Sequence, residues 1–172
     1  SYGAEVPFLR PKALASDESP EWLSWQHALK YVENSTKRLP DIMVSIPTTS
    51  PLRTSRDIEK CIEVFKSGSA DSVISVKESS RSPFFNMVRL NEKGHSELLF
   101  ASKSKINNRQ EAPQTFDITT VCYVSDPRFV LGNNSIFDGK VKHVVIPAHR
   151  AIDIDTYLDF KIAEKILEMK VE

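Results

Sequence analysis

The residues best suited to chemistry lie in Ala151-Ile-Asp-Ile-Asp-Thr-Tyr-Leu-Asp-Phe-Lys-Ile-Ala-Glu164 of this 172-residue chain. Asp153 and Asp155 are two apart, and in an extended stretch such side chains share a face. Two carboxylates so placed suit Mg2+, which takes one or two of them and completes its shell with water and substrate phosphates. They also fall where an extended region hands over to a helix, the end at which open α/β sheets hold ligands. A plainer reading competes: Asp155 caps the last helix and Asp153 is a solvated loop residue. Pro47-Thr-Thr-Ser-Pro-Leu-Arg53 is the second candidate. Its hydroxyls and guanidinium offer donors to a polar or anionic ligand, unless its prolines simply make a rigid surface turn. Arg10, in a loop ahead of Ala15-Ser-Asp17, is either a nucleotide contact or a surface ion pair.

Other chemistries are poorly supported. His27, His95, His143 and His149 have no spacing that makes a zinc site, and His27 on a helix face reads as structural. There is no Gly-x-Ser-x-Gly nucleophile context. Five glycines supply neither a dinucleotide fingerprint nor a P-loop. Two cysteines, Cys61 and Cys122, make no disulfide framework and fit a reducing cytoplasm. The 23 Lys+Arg balance 23 Asp+Glu with no basic tract, which argues against a nucleic-acid surface. No apolar run reaches the ~18 residues of a membrane-spanning helix. A soluble cytoplasmic α/β domain is therefore expected.

The elements that must position these residues follow from periodicity. Ser16-Asp-Glu-Ser-Pro20 starts a helix whose inner face is Trp22, Trp25, Ala28, Leu29 and Val32. Asp41 to Ile46 reads as a buried strand leading into the Pro47–Arg53 loop. A helix from Ser55 to Lys66 places Ile58, Cys61, Ile62 and Phe65 on one side, and Ser72 to Val76 is the next buried strand. This strand–helix–strand order predicts βαβ units and a mostly parallel sheet. Phe85 to Leu90 and Glu97 to Phe100 flank Asn91-Glu-Lys-Gly94 as a hairpin. Polar residues 102–114 form a loop or interaction arm. Strands are expected at Thr119–Val124 and Val141–Ile146, with a short helix from Asp126-Pro127 between them. A final helix over Thr156–Met169 has Tyr157, Leu158, Ile162, Ala163 and Ile166 on its inner face.

Taken in order, four segments resemble the acylneuraminate cytidylyltransferases, the CMP-sialic acid synthetase family. They are Phe8-Leu-Arg-Pro-x-x-Leu-Ala-Ser-Asp17, Thr49-Ser-Pro-Leu-Arg53, Arg109-Gln-x-x-Pro-Gln-x-Phe116, and Ile152-Asp-Ile-Asp155 with Asp159 and Ala163-Glu164. The resemblance covers nearly the whole chain. It implies a Rossmann-like nucleotidyltransferase fold (the nucleotide-diphospho-sugar transferase type), a three-layer α/β/α sandwich. One domain, 1–172, is implied, with 84–117 as a dimerisation extension and hence a homodimer. It implies a reaction in which CTP and a sialic-acid-like nonulosonic acid give a CMP-sugar and pyrophosphate with Mg2+. Asp153 and Asp155 match the family's catalytic, metal-associated pair. Arg10 matches a cytidine contact, with Ser19 and Glu21 beside the base. Arg109 matches a basic residue on the dimerisation arm that reaches the partner subunit's site. Thr48, Tyr123 and Phe137 fall where the family lines its sugar pocket.

Departures from the family pattern are equally informative. Pro47 and Thr48 replace a usual Gln-Pro before Thr-Ser-Pro-Leu-Arg, and Glu21 replaces a common Ser, so the sugar is left open. Thr119-Thr-Val121 replaces Asn-Gly-Ala, which predicts a pocket reshaped by stiff β-branched side chains. The first βαβ portion, with its Gly-, Ser-, Arg- and Lys-rich phosphate loop, has no counterpart in these residues. A fragment of a longer protein is the expectation. The alternatives are a non-catalytic binding or assembly module, or a cytidylyltransferase for another sugar acid such as Kdo.

Overall fold

A computed structural model describes residues 3–16, 18–100 and 108–169. Ten elements carry the fold: α1 (Glu21–Thr36), β1 (Met43–Ser45), α2 (Ser55–Lys66), β2 (Ser72–Glu78), β3 (Val88–Leu90), β4 (Ser96–Leu98), β5 (Phe116–Ser125), α3 (Pro127–Gly132), β6 (Val141–Val145) and α4 (Tyr157–Met169). The main sheet has the order β1-β5-β2-β6.

The sheet is mixed. β2 and β6 pair in parallel, whereas β5 lies antiparallel between β1 and β2. Three strands thus share the direction that βαβ reasoning predicts, and the fourth runs against them. Its reversal follows from connectivity. The two-stranded β3–β4 unit stands between β2 and β5 where a crossover helix would otherwise stand. With no α-helix among the described residues of that connection to carry the chain back across the sheet, β5 returns beside β2 in the opposite sense.

Two apolar clusters sandwich the sheet. On one face Cys61 of α2 meets Val73, Cys122 and Val124, with Ile58, Ile62 and Phe65 packed around them. On the other, Trp22 and Leu29 of α1 meet Val130 of α3, with Trp25 and Met43 at the margin. The Trp22 indole N–H donates to the Asn133 carbonyl at 2.8 Å, and Gln26 Nε2 donates to the Val130 and Asn133 carbonyls at 2.9 Å each. Gln26 thereby fills acceptors at the end of α3 that would otherwise go unmade.

β2 is buried from Ser72 through Val76, which fits an interior strand. Its register against β5 slips between Ile74 and Val76. Ser75 repairs that slip. Its hydroxyl donates to the Thr119 carbonyl (3.1 Å) and accepts from the Cys122 N–H and Thr119 Oγ1 (2.9 Å each). A bulge satisfied this way bends β5 without leaving buried polar groups unpaired.

The end of the chain corrects one expectation. Of the face expected to turn inward on α4, only Ala163 is buried, while Tyr157 and Leu158 are 75% and 67% exposed. Helical spacing marks an apolar stripe but does not say that something covers it. The β3–β4 hairpin is likewise apolar and open at Val88, Leu90 and Phe100. No helix among the described residues is long and apolar enough to cross a membrane.

Candidate active site

The site is assembled by the segments leaving β1 and β6. The loop after β1 is held from behind. Ser50, fully buried, shares a 2.6 Å hydrogen bond with Thr120 of β5, and Thr49 Oγ1 lies 3.4 Å from the same hydroxyl. Arg53 Nε donates to the Ser50 carbonyl at 2.7 Å, and its other arm donates to the Pro47 carbonyl. Arg53 therefore works as a clamp on its own loop, and burial pushes its pKa down, against the opposing pull of Cys122 and Asp153. The Thr119-Thr120 pair anchors this loop and the bulge, so its β-branched side chains act on the pocket through the loop they hold.

The segment after β6 is fixed by a buried ion pair. Arg150, ending the short turn Ala148–Arg150, grips Asp57 of α2 with Nε and a terminal nitrogen, both at 3.0 Å. Thr54 donates to the same carboxylate from its N–H (3.0 Å) and hydroxyl (2.9 Å). Burial alone would raise the Asp57 pKa, but the hydrogen bonds from Arg150 and Thr54 outweigh it and hold the carboxyl below its usual range. Four residues beyond Arg150, the Ile154 N–H donates to the Thr49 carbonyl at 2.9 Å. That bond places the Ile152–Asp155 segment against the Pro47–Arg53 loop.

Asp153 is positioned by these contacts and satisfied by none. Its Oδ1 is buried and accepts no hydrogen bond. A buried acceptor without a donor is costly, and such atoms call for a ligand or an ion. The capping alternative also fails for Asp155. The N-terminus of α4 is capped by Thr156, whose hydroxyl accepts the Asp159 N–H (3.3 Å), while the Asp159 carboxylate reaches back to the Asp155 and Thr156 N–H groups (3.3 and 2.8 Å) and the Thr156 hydroxyl (2.6 Å). Asp155 itself is exposed, and its carboxylate has no partner among the described residues. An orphaned buried oxygen and a free carboxylate two residues on fit a hard divalent cation. No group of three His, Cys, Asp or Glu residues is arranged for a metal among the described residues.

Beside them a cavity of about 450 Å3 opens between α1, the end of β1 and the segment carrying Arg10. Its lining includes Phe8, Arg10, Glu21, Trp25, Thr48 and Thr49. Three of the sequence-derived candidates, Arg10, Glu21 and Thr48, thus meet in one cavity. Tyr123 packs against Trp25 with ring centroids 5.4 Å apart and planes tilted by 51°, and burial raises its pKa, aided by the charges of Glu21 and Asp153. It packs behind the cavity wall through Trp25. Ser19 precedes α1 with a buried hydroxyl that has no partner, outside the cavity wall. Phe137 is 61% exposed beyond α3 and does not line the cavity. Arg109 begins the turn Arg109–Glu111, and its side chain is outside the described structure, as are Asp17 and the arm residues 101–107.

Sequence reading missed Trp25, Ser45, Phe8 and His27 as cavity residues. His27 carries a buried Nδ1 without a partner and packs edge-on against Phe8 at 5.0 Å. The Asp57–Arg150 pair was also missed, although Thr54-x-x-Asp57 has the spacing of a helix-capping box.

No family model matches the sequence. The chain is 30% identical over 169 residues to post-translational flagellin modification protein B of Campylobacter coli, covering 98% of this chain and 71% of that protein. Identity and coverage are the same with a CMP-N,N'-diacetyllegionaminic acid synthase of Campylobacter jejuni. A pseudaminic acid cytidylyltransferase of Campylobacter jejuni is 23% identical over 171 residues, 99% of this chain and 72% of that one. Among solved structures, 4-diphosphocytidyl-2C-methyl-D-erythritol synthase of Anaerococcus prevotii superposes with a TM-score of 0.61 at 15% identity, over 88% of this chain and 68% of that chain. The fold is that of a Rossmann-like nucleotidyltransferase, and the chain belongs to the family of CMP-nonulosonic acid synthetases.

Proposed function

We propose that this protein transfers CMP from CTP to a sialic-acid-like nonulosonic acid, of the legionaminic or pseudaminic kind, releasing pyrophosphate in the presence of Mg2+. The observation that carries the reading is the orphaned Oδ1 of Asp153 beside a cavity that gathers Arg10, Glu21 and Thr48. Asp153 and Asp155 would hold Mg2+, whose chemistry at such a site is to neutralise charge building on the phosphoryl oxygens. Arg10 supplies a fixed cation and hydrogen-bond fork to the nucleotide. The clamp of Arg53 and Ser50 keeps the loop carrying Thr48 in register with the aspartates, and fixed geometry is most of what phosphoryl transfer asks of a protein. Tyr123, with its proton held by burial and two nearby carboxylates, remains a neutral donor toward the sugar side. The apolar β3–β4 hairpin supports a homodimer in which the partner's Arg109 completes the site. A cytoplasmic location follows from CTP as substrate.

Full-length protein incubated with CTP, Mg2+ and a panel of nonulosonic acids is expected to release pyrophosphate with at least one sugar. Folded protein that releases none with any of them would contradict the assignment.

A further inference from the structure

We infer that residues 3–14 form a strap along the cavity, and that Phe8, latched between His27 and Tyr31 of α1, is the positioning residue that holds the strap shut. This rests on the transferase reading above and goes beyond it, because it says what keeps the wall of the site in place.

α1 carries two stripes. One, with Trp22 and Leu29, faces the core. Ser24, His27, Ala28 and Tyr31 form the other, at the i, i+3, i+4, i+7 spacing of a single helical face. The first three line the cavity, and Tyr31 continues the row beyond its lining. The Phe8 ring lies against the end of that row, 5.0 Å from the His27 ring at 65° and 4.7 Å from the Tyr31 ring at 43°. Edge-on and tilted contacts of this kind are favoured between aromatic rings.

Little else holds the strap. Of its residues only Phe8 and, at the end leading into α1, Leu14 are half-buried, and the rest are exposed. Val6 and Leu9, apolar and close to Phe8 in the chain, are 78% and 87% exposed. Among the described residues its backbone hydrogen bonds are local, Leu14 N–H to the Pro11 carbonyl (2.9 Å) and Ala15 N–H to the Lys12 carbonyl (3.1 Å). Phe8 stands two residues before Arg10, so its latch fixes the backbone that carries this cation along the cavity. With the latch broken, binding must first order the strap. A nucleotide that meets Arg10 only in the latched state then binds more weakly, in proportion to the latched fraction, and in return shifts the strap toward that state.

Steady-state kinetics on full-length protein with CTP, Mg2+ and a nonulosonic acid test this. Phe8→Ala is expected to raise KM for CTP about tenfold and to keep kcat within about twofold of wild type, the pattern of lost binding rather than lost chemistry. Tyr31→Ala, outside the cavity lining, should raise KM in the same direction. The double variant should be little worse than Phe8→Ala alone, because both changes break one latch. Trypsin gives a second readout at the bond after Lys12. CTP with Mg2+ is expected to slow that cleavage several-fold in wild type and to have little effect on it in Phe8→Ala. Wild-type KM in folded Phe8→Ala and Tyr31→Ala proteins would overturn the inference alone, as would a loss confined to kcat or protection by CTP that survives both substitutions. Wild-type protein that releases no pyrophosphate from CTP with any acceptor would overturn the transferase reading and this inference with it.

Discussion

Asp57 and Asp153 are both drawn in from solvent, and they lie on segments tied together through Arg150, yet they differ in every other respect. Asp57 is 1% exposed and accepts four hydrogen bonds, two from Arg150 and two from Thr54. Asp153 has a buried oxygen that accepts none. A buried charge that is paired and hydrogen-bonded belongs to the architecture, whereas one left open is held in place for something that arrives. The contrast separates scaffold from chemistry more sharply than residue type or burial does.

The largest effect expected from this contrast is on rate. Asp153→Asn should cost about 1000-fold in kcat, a loss of the size seen when a transition-state charge partner is removed, with the melting temperature nearly unchanged. If instead stability falls and rate does not, Asp153 is a structural residue. Asp57→Ala reverses the pattern. It strands Arg150 and should destabilise the fold by about 3 kcal/mol in a denaturant titration. Activity in folded Asp57→Ala protein should fall as well, since the Ile152–Asp155 segment loses its anchor.

Titration sharpens the same distinction. The Asp57 carboxyl lies below its ordinary value when folded, so its contribution is present above the unfolded pKa of about 4 and lost as pH falls through the folded one. The stability difference between wild type and Asp57→Asn should be constant from neutral pH to about 5, then shrink in more acid solution. A difference that grows on acidification would mean that the pair does not stabilise the fold. The smallest effect concerns the loop clamp. Thr120→Val removes one hydroxyl partner of Ser50 and should cost about 1 kcal/mol, with a raised KM and little change in kcat.

Much of this was legible in the sequence. The helices Glu21–Thr36 and Ser55–Lys66 follow their apolar faces closely, and β2 shows the unbroken burial of an interior strand. The reversed β5 was not legible, because strand direction depends on the connection before it and the β3–β4 unit gives no local sign of its path. Nor was the open face of α4, since periodicity identifies an apolar stripe without naming its cover. Of the candidate site, motif and order picked out Arg10, Glu21 and Thr48, which share one cavity, and Asp153, whose buried oxygen has no partner. Arg53 was readable only as a donor, and the fold spends it on the Pro47 and Ser50 carbonyls. Trp25 and Ser45 escaped notice because each sits in an ordinary helix or strand pattern and becomes a site residue only when β1 and α1 are brought side by side.

The central claim is that Asp153 is kept open for phosphoryl-transfer chemistry. Its most direct test is CMP-sugar formation by full-length wild-type and Asp153→Asn proteins of matched melting temperature, followed by mass spectrometry with CTP, Mg2+ and a legionaminic-type acid. Product from wild type that is abolished by chelation and reduced about 1000-fold in Asp153→Asn is the predicted result. Equal product from both proteins would contradict it.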